Sequence, residues 1–414
     1  MTKKNDGLNQ KVMSDFMISV ENTIRLIKEN IPQREIEFVD LMDSLKRVLA
    51  EEIISPANSP SVNNSAMDGF AVRWHDLEKS SDETLRFSII GESRAGYPFN
   101  GKMTADSAIR ISTGAVVPLD ADCIIPIERC RVENNYFETQ KNHKKNQHIR
   151  FAGEEFKKGQ KLLDCGTQIG SAQIALLASL GFGSIKVYKK PLVSIITTGS
   201  ELIPFSEKAE IYQLHDSNTP MLISAIAEAG GSVAKTFHAE DDFEQTKKVI
   251  EYATKKSQVI ITSGGVSVGI HDHVRDAALE LGFTELFWKV NQKPGKPMFM
   301  GKKDSLLLFA LPGNPVSAFM CFKHYVRPLL QNIFGLPFDW PVIKASAKTE
   351  IKNKSNRKQF IRIRLLEVDG EKIVEPLHLQ GSHMPSSIAH ADGYLMLFEG
   401  QEIKANTITT VYLF

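Results

Sequence analysis

The segment Asn64-Ser65-Ala66-Met67-Asp68-Gly69-Phe70 sets a lone carboxylate beside a glycine among small residues. Apolar packing gives no reason for an acid between Met67 and Gly69, whereas a backbone passing close to a polar ligand needs small residues and often a glycine with positive φ. The same letters also spell a solvated Asp-Gly turn, so the rest of the chain must decide. Three further loops carry chemistry-bearing residues: Thr198-Gly199-Ser200-Glu201, Ser263-Gly264-Gly265-Val266-Ser267-Val268-Gly269 and Leu311-Pro312-Gly313-Asn314-Pro315. Each follows a short apolar run, and loops rich in Gly, Ser and Thr expose backbone N–H groups that can cradle phosphate at a helix N-terminus. No Walker lysine follows any of them, which disfavours a P-loop nucleotidase.

Acids stand beside these loops: Glu201, Asp216, Asp241, Asp242 and Asp272. For Asp216 and Asp242, helix N-capping competes with catalysis. Asp272 lies between His271 and His273, but three adjacent residues rarely converge on one zinc ion, and carboxylates near phosphate point instead to magnesium, Mg2+. Lys289, Lys293 and Lys296 crowd a loop stiffened by Pro294 and Pro297, suited to hold phosphate as point charges. Arg357, Arg362 and Arg364 could extend that basic surface, although alternating Arg362 and Arg364 also read as the exposed face of a strand.

The elements that must position these residues follow from periodicity. Helical spacing of Ile18, Ile24, Ile27 and Ile31 predicts a helix over 14–30, stopped by Pro32, and a second short helix is expected over Leu41 to Leu49. From Phe70 to Val132 short apolar runs separated by Gly, Pro and Asp predict a small β-rich domain, followed by an exposed polar hairpin or loop over 133–148. Helical material returns at Ser171 to Leu180, with a strand at Ser184 to Tyr188. From Pro191 strands and helices alternate, with strands at Leu192 to Thr197, Val233 to His238, Val259 to Thr262 and Leu306 to Ala310. This implies a parallel sheet with ligand chemistry at the carboxyl ends of its strands. Beyond Pro337 short alternating runs at Phe360 to Leu366 and Thr407 to Phe414 predict a last β domain.

Composition narrows the class. A chain of 414 residues implies two to four domains, and 50 basic against 49 acidic residues leaves no global field for nucleic acid or acidic lipid. No apolar run reaches membrane-spanning length, and Met1 to Gln10 reads as a short disordered tail. Cys123, Cys130, Cys165 and Cys321 form no CxxC pair, which argues against a disulfide framework or structural zinc and for the cytoplasm.

Taken together, the loops resemble the molybdopterin molybdenumtransferases, the MoeA-type proteins that include the C-terminal part of gephyrin. The resemblance covers nearly the whole chain and rests on motifs in order: 64–70, Ile111-Ser112-Thr113-Gly114-Ala115, 198–202, 216–218, 263–269, 293–297, 311–315 and 381–387. It implies a multidomain α/β plus β subunit. Residues 11–55 and 147–189 would form a discontinuous helical linker and dimerisation domain, and 56–146 an inserted β domain. Residues 190–334 would form a molybdopterin-binding α/β domain with a parallel-type sheet, and 338–414 a C-terminal β barrel.

The resemblance further implies insertion of molybdate into adenylylated molybdopterin with release of AMP, using magnesium, in a homodimer, with a molybdopterin adenylyltransferase as candidate partner. Asp68 and Thr113 would act from the inserted domain, with Asp68 at the metal-insertion site across a cleft. Glu201, Asp241 or Asp242, Asp272, Lys289, Lys293, Pro312 and Pro315 would line the α/β pocket, and Arg357 with Ser382 or Ser386 would complete it. Ser263, Gly264, Gly265, Ser267, Lys296, Gly313 and Asn314 belong to the same substrate-binding loops. Ile270, where the family usually has an acid, and Arg275, where it usually has lysine, depart from the pattern. An adenylyltransferase-like activity and a diverged non-catalytic scaffold are the competing readings.

Overall fold

The N-terminal helix shows how closely local signals can set an element. In the computed structural model, which describes residues 17–266 and 273–414, it runs over Val20–Glu29. Ser19 Oγ accepts the Asn22 N–H, Glu21 stands in the first turn and Lys28 in the last, so cap and dipole agree. Just before it, Ile18 pairs with Val290: the Ile18 N–H donates to Lys289 O and the Asn291 N–H to Ile18 O. The segment 11–16 and the tail lie outside the described residues.

The second helix expected over Leu41 to Leu49 does not form. Only a single tight turn, Leu41–Asp43, is present, and Lys46 adopts a φ of 63°. Val48 and Leu49 are fully buried in extended pairing with Gln168 and Val187, so tertiary pairing overrides a helical spacing.

Contacts group the chain into two compact units, one comprising residues up to Ala50, Gln168–Gly170 and Ser184–Phe414, the other Glu51–Thr167 and Ser171–Gly183. The first unit holds a six-stranded sheet in the order Ser232–Ala239, Leu192–Thr198, Val259–Ser263, Leu306–Leu311, Phe299–Lys303, Thr284–Trp288. The first four strands are parallel, and the last two add an antiparallel edge that the sequence reading did not separate. Chain order reverses between Leu192–Thr198 and Val259–Ser263, which puts a topological switch point between the loops that follow them. Alternate residues of the central strands serve two cores: Ile195, Ile261 and Phe309 face one, Ile196, Ile260 and Leu308 the other.

In the same unit, Lys358–Val368 pairs with both Glu371–Pro376 and Gly393–Leu397, and Val342–Ala347 and Ile408–Leu413 complete the ring. The result is a closed five-stranded barrel filled by Ile361, Ile363, Val374, Leu395 and Val411. Its outer face is not all solvent: Phe360 and Tyr394 share one core with the sheet, the N-terminal helix and the long helical segment from Pro315 to Ile333. Strand Ile36–Asp40 pairs antiparallel with Ser184–Tyr188 within this unit.

The second unit carries a mixed six-stranded sheet, ordered Cys123–Pro126, Gly69–Val72, Ser107–Ile111, Thr84–Ser93, Tyr136–Gln140, Arg131–Glu133. The polar stretch after Glu133 is a hairpin whose Phe137 is fully buried, and His143 is buried between Thr139 and Gln147. That stretch is therefore less exposed than its composition implies.

His324 gives the first unit an acid-sensitive core. It is buried among Tyr325, Trp340, Phe360 and Tyr394, with Nδ1 2.6 Å from the Tyr394 hydroxyl, and burial holds its pKa down from 6.5 to about 3. A neutral histidine in the folded state that protonates on unfolding stabilises the protein above pH 6.5, and that stability is lost as pH falls toward 3. His324→Gln is expected to make the fall in unfolding free energy shallower in that window, by up to about 1.4 kcal/mol per pH unit. Urea unfolding at several pH values measures the slope.

Candidate functional site

At the switch point the loops are held by close backbone contact. Gly264 has φ 98°, and a Cβ there would stand 2.5 Å from Thr198 Oγ1 and 2.7 Å from its carbonyl oxygen, so only glycine fits. Asn218 Nδ2 donates to Ser263 Oγ at 2.8 Å and to Gly313 O at 2.7 Å, and Ser263 Oγ donates to Pro312 O. Three of the sequence-singled loops thus meet through Asn218, with the Ser263 hydroxyl buried and engaged in tying them. Gly265 also has positive φ. Thr198 Oγ1 and Asn218 Oδ1 are buried without a partner among the described residues.

The acids divide by role. Asp216 accepts the N–H groups of Asn218 and Thr219, both at 3.0 Å, and the Thr197 and Thr219 hydroxyls, so it is spent on organising its turn. Asp242 caps the helix Phe243–Thr254 through the Gln245 N–H. Asp241 and Glu201 are exposed and flank one turn: Asp241 Oδ2 accepts the Ser200 N–H, and the Glu201 carboxylate lies over Gly199. Asp272 and Ser267 lie outside the described residues. No cluster of three metal-ligating side chains occurs among the described residues. Glu201 and Asp241 still suit magnesium, which takes one or two carboxylates together with substrate phosphates.

A cavity of about 650 Å³ gathers the cations. Lys293, Lys296, Pro312, Asn314, Arg357 and Ser382 line it, with Gln359, Gln380 and His383 alongside, and no carboxylate is among its described lining residues. The short strand Gln292–Lys293 pairs parallel with Lys358 and Gln359, which brings the lysine turn against the barrel strand. Asn314 stands just before Pro315 at the start of its helix, and its Nδ2 reaches Ser382 Oγ at 3.3 Å, while the Val316 N–H donates to Ser382 O. Arg357 Nη1 donates to Gln292 O. Lys289 and Ser386 do not line this cavity: Lys289 Nζ lies 3.9 Å over the Trp288 ring, and Ser386 opens the short helix Ser386–Ala389.

Arg362 corrects the sequence reading. Arg362, read from sequence either as part of a basic surface or as the exposed face of a strand, is fully buried, while Arg364 is exposed. Ile361 and Ile363 fill the barrel, so Arg362 and Phe360 project to the outer face, which the rest of the unit covers. Arg362 Nη2 donates to Leu379 O and Gly381 O, directly behind Ser382, and burial lowers its pKa to about 10. Its Nε and Nη1 have no partner among the described residues. The sequence offers Arg362 as an extension of the basic surface or as an exposed strand face, has His383 only within the 381–387 motif, and does not single out Gln380. Alternation looks the same whether a strand's polar face meets water or another domain, so nothing in the sequence marks Arg362 as buried.

In the second unit Asp68 and Thr113 are adjacent. Gly69 pairs with Ile111, and the Thr113 N–H donates to Asp68 Oδ1 at 2.7 Å with both residues exposed. Gly69 does not have positive φ; it is required because a Cβ would stand 2.0 Å from Ile125 O on the neighbouring strand. Gly69→Ala is therefore expected to destabilise the protein by about 3 kcal/mol through overpacking, read as a lowered urea midpoint.

Comparison with known proteins accounts for the layout. The chain matches the MoeA N-terminal region (domain I and II) over residues 18–181, the "probable molybdopterin binding domain" over 194–332 and the MoeA C-terminal region (domain IV) over 344–414. It is 34% identical over 387 residues to the molybdopterin molybdenumtransferase of Haemophilus influenzae, covering 92% of this chain and 94% of that one. It is 32% identical over 386 residues to that of Bacillus subtilis, covering 92% and 90%. A solved molybdopterin biosynthesis MoeA protein from Pyrococcus horikosii superposes with a TM-score of 0.85 at 29% identity, covering 96% of this chain and 99% of that one. With all three family regions present in order and its relatives matched over nearly their whole length, the chain belongs to the MoeA family.

Proposed function

We propose that this protein inserts molybdate into adenylylated molybdopterin and releases AMP, making molybdenum cofactor. The observation that carries the reading is the cavity lined by Lys293, Lys296 and Arg357, with no carboxylate among its described lining residues. Molybdate is a tetrahedral dianion, and a pocket with three cations, Ser382 and Asn314 offers it charge and hydrogen-bond donors. Arg362 adds a fourth positive charge behind the Gly381–Ser382 backbone. The loops at the switch point, with Gly264 and Gly313, take the pyrophosphate bridge.

Magnesium at Glu201 and Asp241, joined by Asp272, would offset phosphate charge as AMP leaves. Asp68, oriented by the Thr113 N–H, acts at metal insertion. The protein works as a homodimer in the cytoplasm, receiving its substrate from a molybdopterin adenylyltransferase. Ile36, Phe38, Met42 and Leu45 expose 51%, 67%, 83% and 55% of their surfaces around one strand, an apolar face suited to a second copy.

With adenylylated molybdopterin, magnesium and molybdate, the purified protein is expected to release AMP and activate a molybdenum-free apoenzyme. Asp68→Asn should lower that rate by about 100-fold at an unchanged melting temperature; a wild-type rate would remove Asp68 from the site. ATP-dependent adenylylation of free molybdopterin would favour the competing activity instead. Lys293→Ala should raise the KM for molybdate about tenfold at low salt, and the difference should shrink as ionic strength screens the lost charge.

A further inference from the structure

Lys293, Lys296 and Arg357 repel one another, and no carboxylate among the cavity's described lining residues gathers them. Something behind them must hold the group. Gln292 is fully buried against Cys321 and Tyr325. Its Nε2 donates to Gly295 O at 3.1 Å and lies 3.4 Å from Cys321 Sγ, and its Oε1 accepts the hydroxyl of the fully buried Tyr325. Its main-chain oxygen accepts Arg357 Nη1 at 3.3 Å. One residue therefore fixes the middle of the lysine turn and, through its backbone, the guanidinium opposite.

Packing alone does not call for an amide here. An apolar side chain of similar volume would fill the space without the cost of burying polar atoms. The side-chain bonds to Gly295 O and the Tyr325 hydroxyl are what an amide at this position adds, and they hold in place the backbone whose oxygen accepts Arg357.

We propose that Gln292, braced by Tyr325, is a positioning residue that sets the spacing of Lys293, Lys296 and Arg357 around a tetrahedral oxyanion. The inference rests on the reading of this cavity as the molybdate site. Losing the brace lets the turn drift, and displacement of a charge-bearing loop by about an ångström costs tenfold or more in the interaction it makes.

The test titrates molybdate calorimetrically into the full chain and into Lys293→Ala, Gln292→Met, Tyr325→Phe and the double variant Gln292→Met/Tyr325→Phe, below their melting temperatures. Molybdate KM and kcat are measured alongside. Gln292→Met is expected to weaken molybdate about tenfold. Tyr325→Phe should raise its KM by about threefold with kcat retained at saturation, and the double variant should bind no more weakly than Gln292→Met, because Tyr325 acts through Gln292. If Gln292→Met binds as wild type while Lys293→Ala is weakened, the proposal falls and the oxyanion reading stands. If Lys293→Ala also binds as wild type, the cavity is not the molybdate site and both fall. A lower melting temperature with an unmoved molybdate KM would show a packing role and overturn the proposal. Should Gln292→Met fail to fold, Tyr325→Phe decides alone: an unchanged KM overturns it.

Discussion

Part of the outer face of the C-terminal barrel, at Phe360 and Tyr394, is buried in one core with the α/β sheet, and the basic cavity depends on that burial. Phe360 and Tyr394 from the barrel meet Phe322, Tyr325 and Leu329 from the long helical segment and Leu307 and Phe309 from the sheet. Because that core is continuous, the lysine turn before the sheet's edge, the strand carrying Arg357 and the loop carrying Ser382 belong to one packed body. A site that had to assemble them across a loose interface would lose ordering entropy on every binding event.

Charge within that body is arranged in two ways. Lys323 lies deep in the fold and is paired with Glu228 at 2.6 Å, and Lys358 is paired with Glu21 of the N-terminal helix. These pairs offset the desolvation of a buried cation. The cavity departs from this pattern, with Lys293, Lys296 and Arg357 facing it and Arg362 behind it. An arrangement that leaves like charges together is less stable by itself and would gain most from an anion that enters.

The inserted sheet solves a smaller problem by a different route. Asp68 is fixed by backbone, since pairing of Gly69 with Ile111 brings the Thr113 N–H to its carboxylate. The neighbouring glycine serves sheet packing, leaving no room for a side chain over Ile125 O. Acid and glycine, adjacent in sequence, thus answer to separate constraints, one at the exposed loop and one in the sheet.

Much of this was legible in the residues alone. Periodicity placed a helix over 14–30, of which Val20–Glu29 forms after the Ser19 cap, and the strands at Leu192, Val259 and Leu306, because apolar repeats act over a few residues and need no distant partner. The loops at their ends, and the ordered motifs from Asn64 to Ser387, carried the family. Tertiary structure decided the rest. It drew Val48 and Leu49 into extended pairing against a helical spacing, spent Asp216 and Asp242 on turns and caps, and brought Lys293, Lys296, Arg357 and Ser382 to one cavity while leaving Lys289 on Trp288. It also buried Arg362. A sequence records which face of a strand is polar, but whether that face meets water or another layer depends on contacts between residues far apart in the chain, and those form only when the whole body packs.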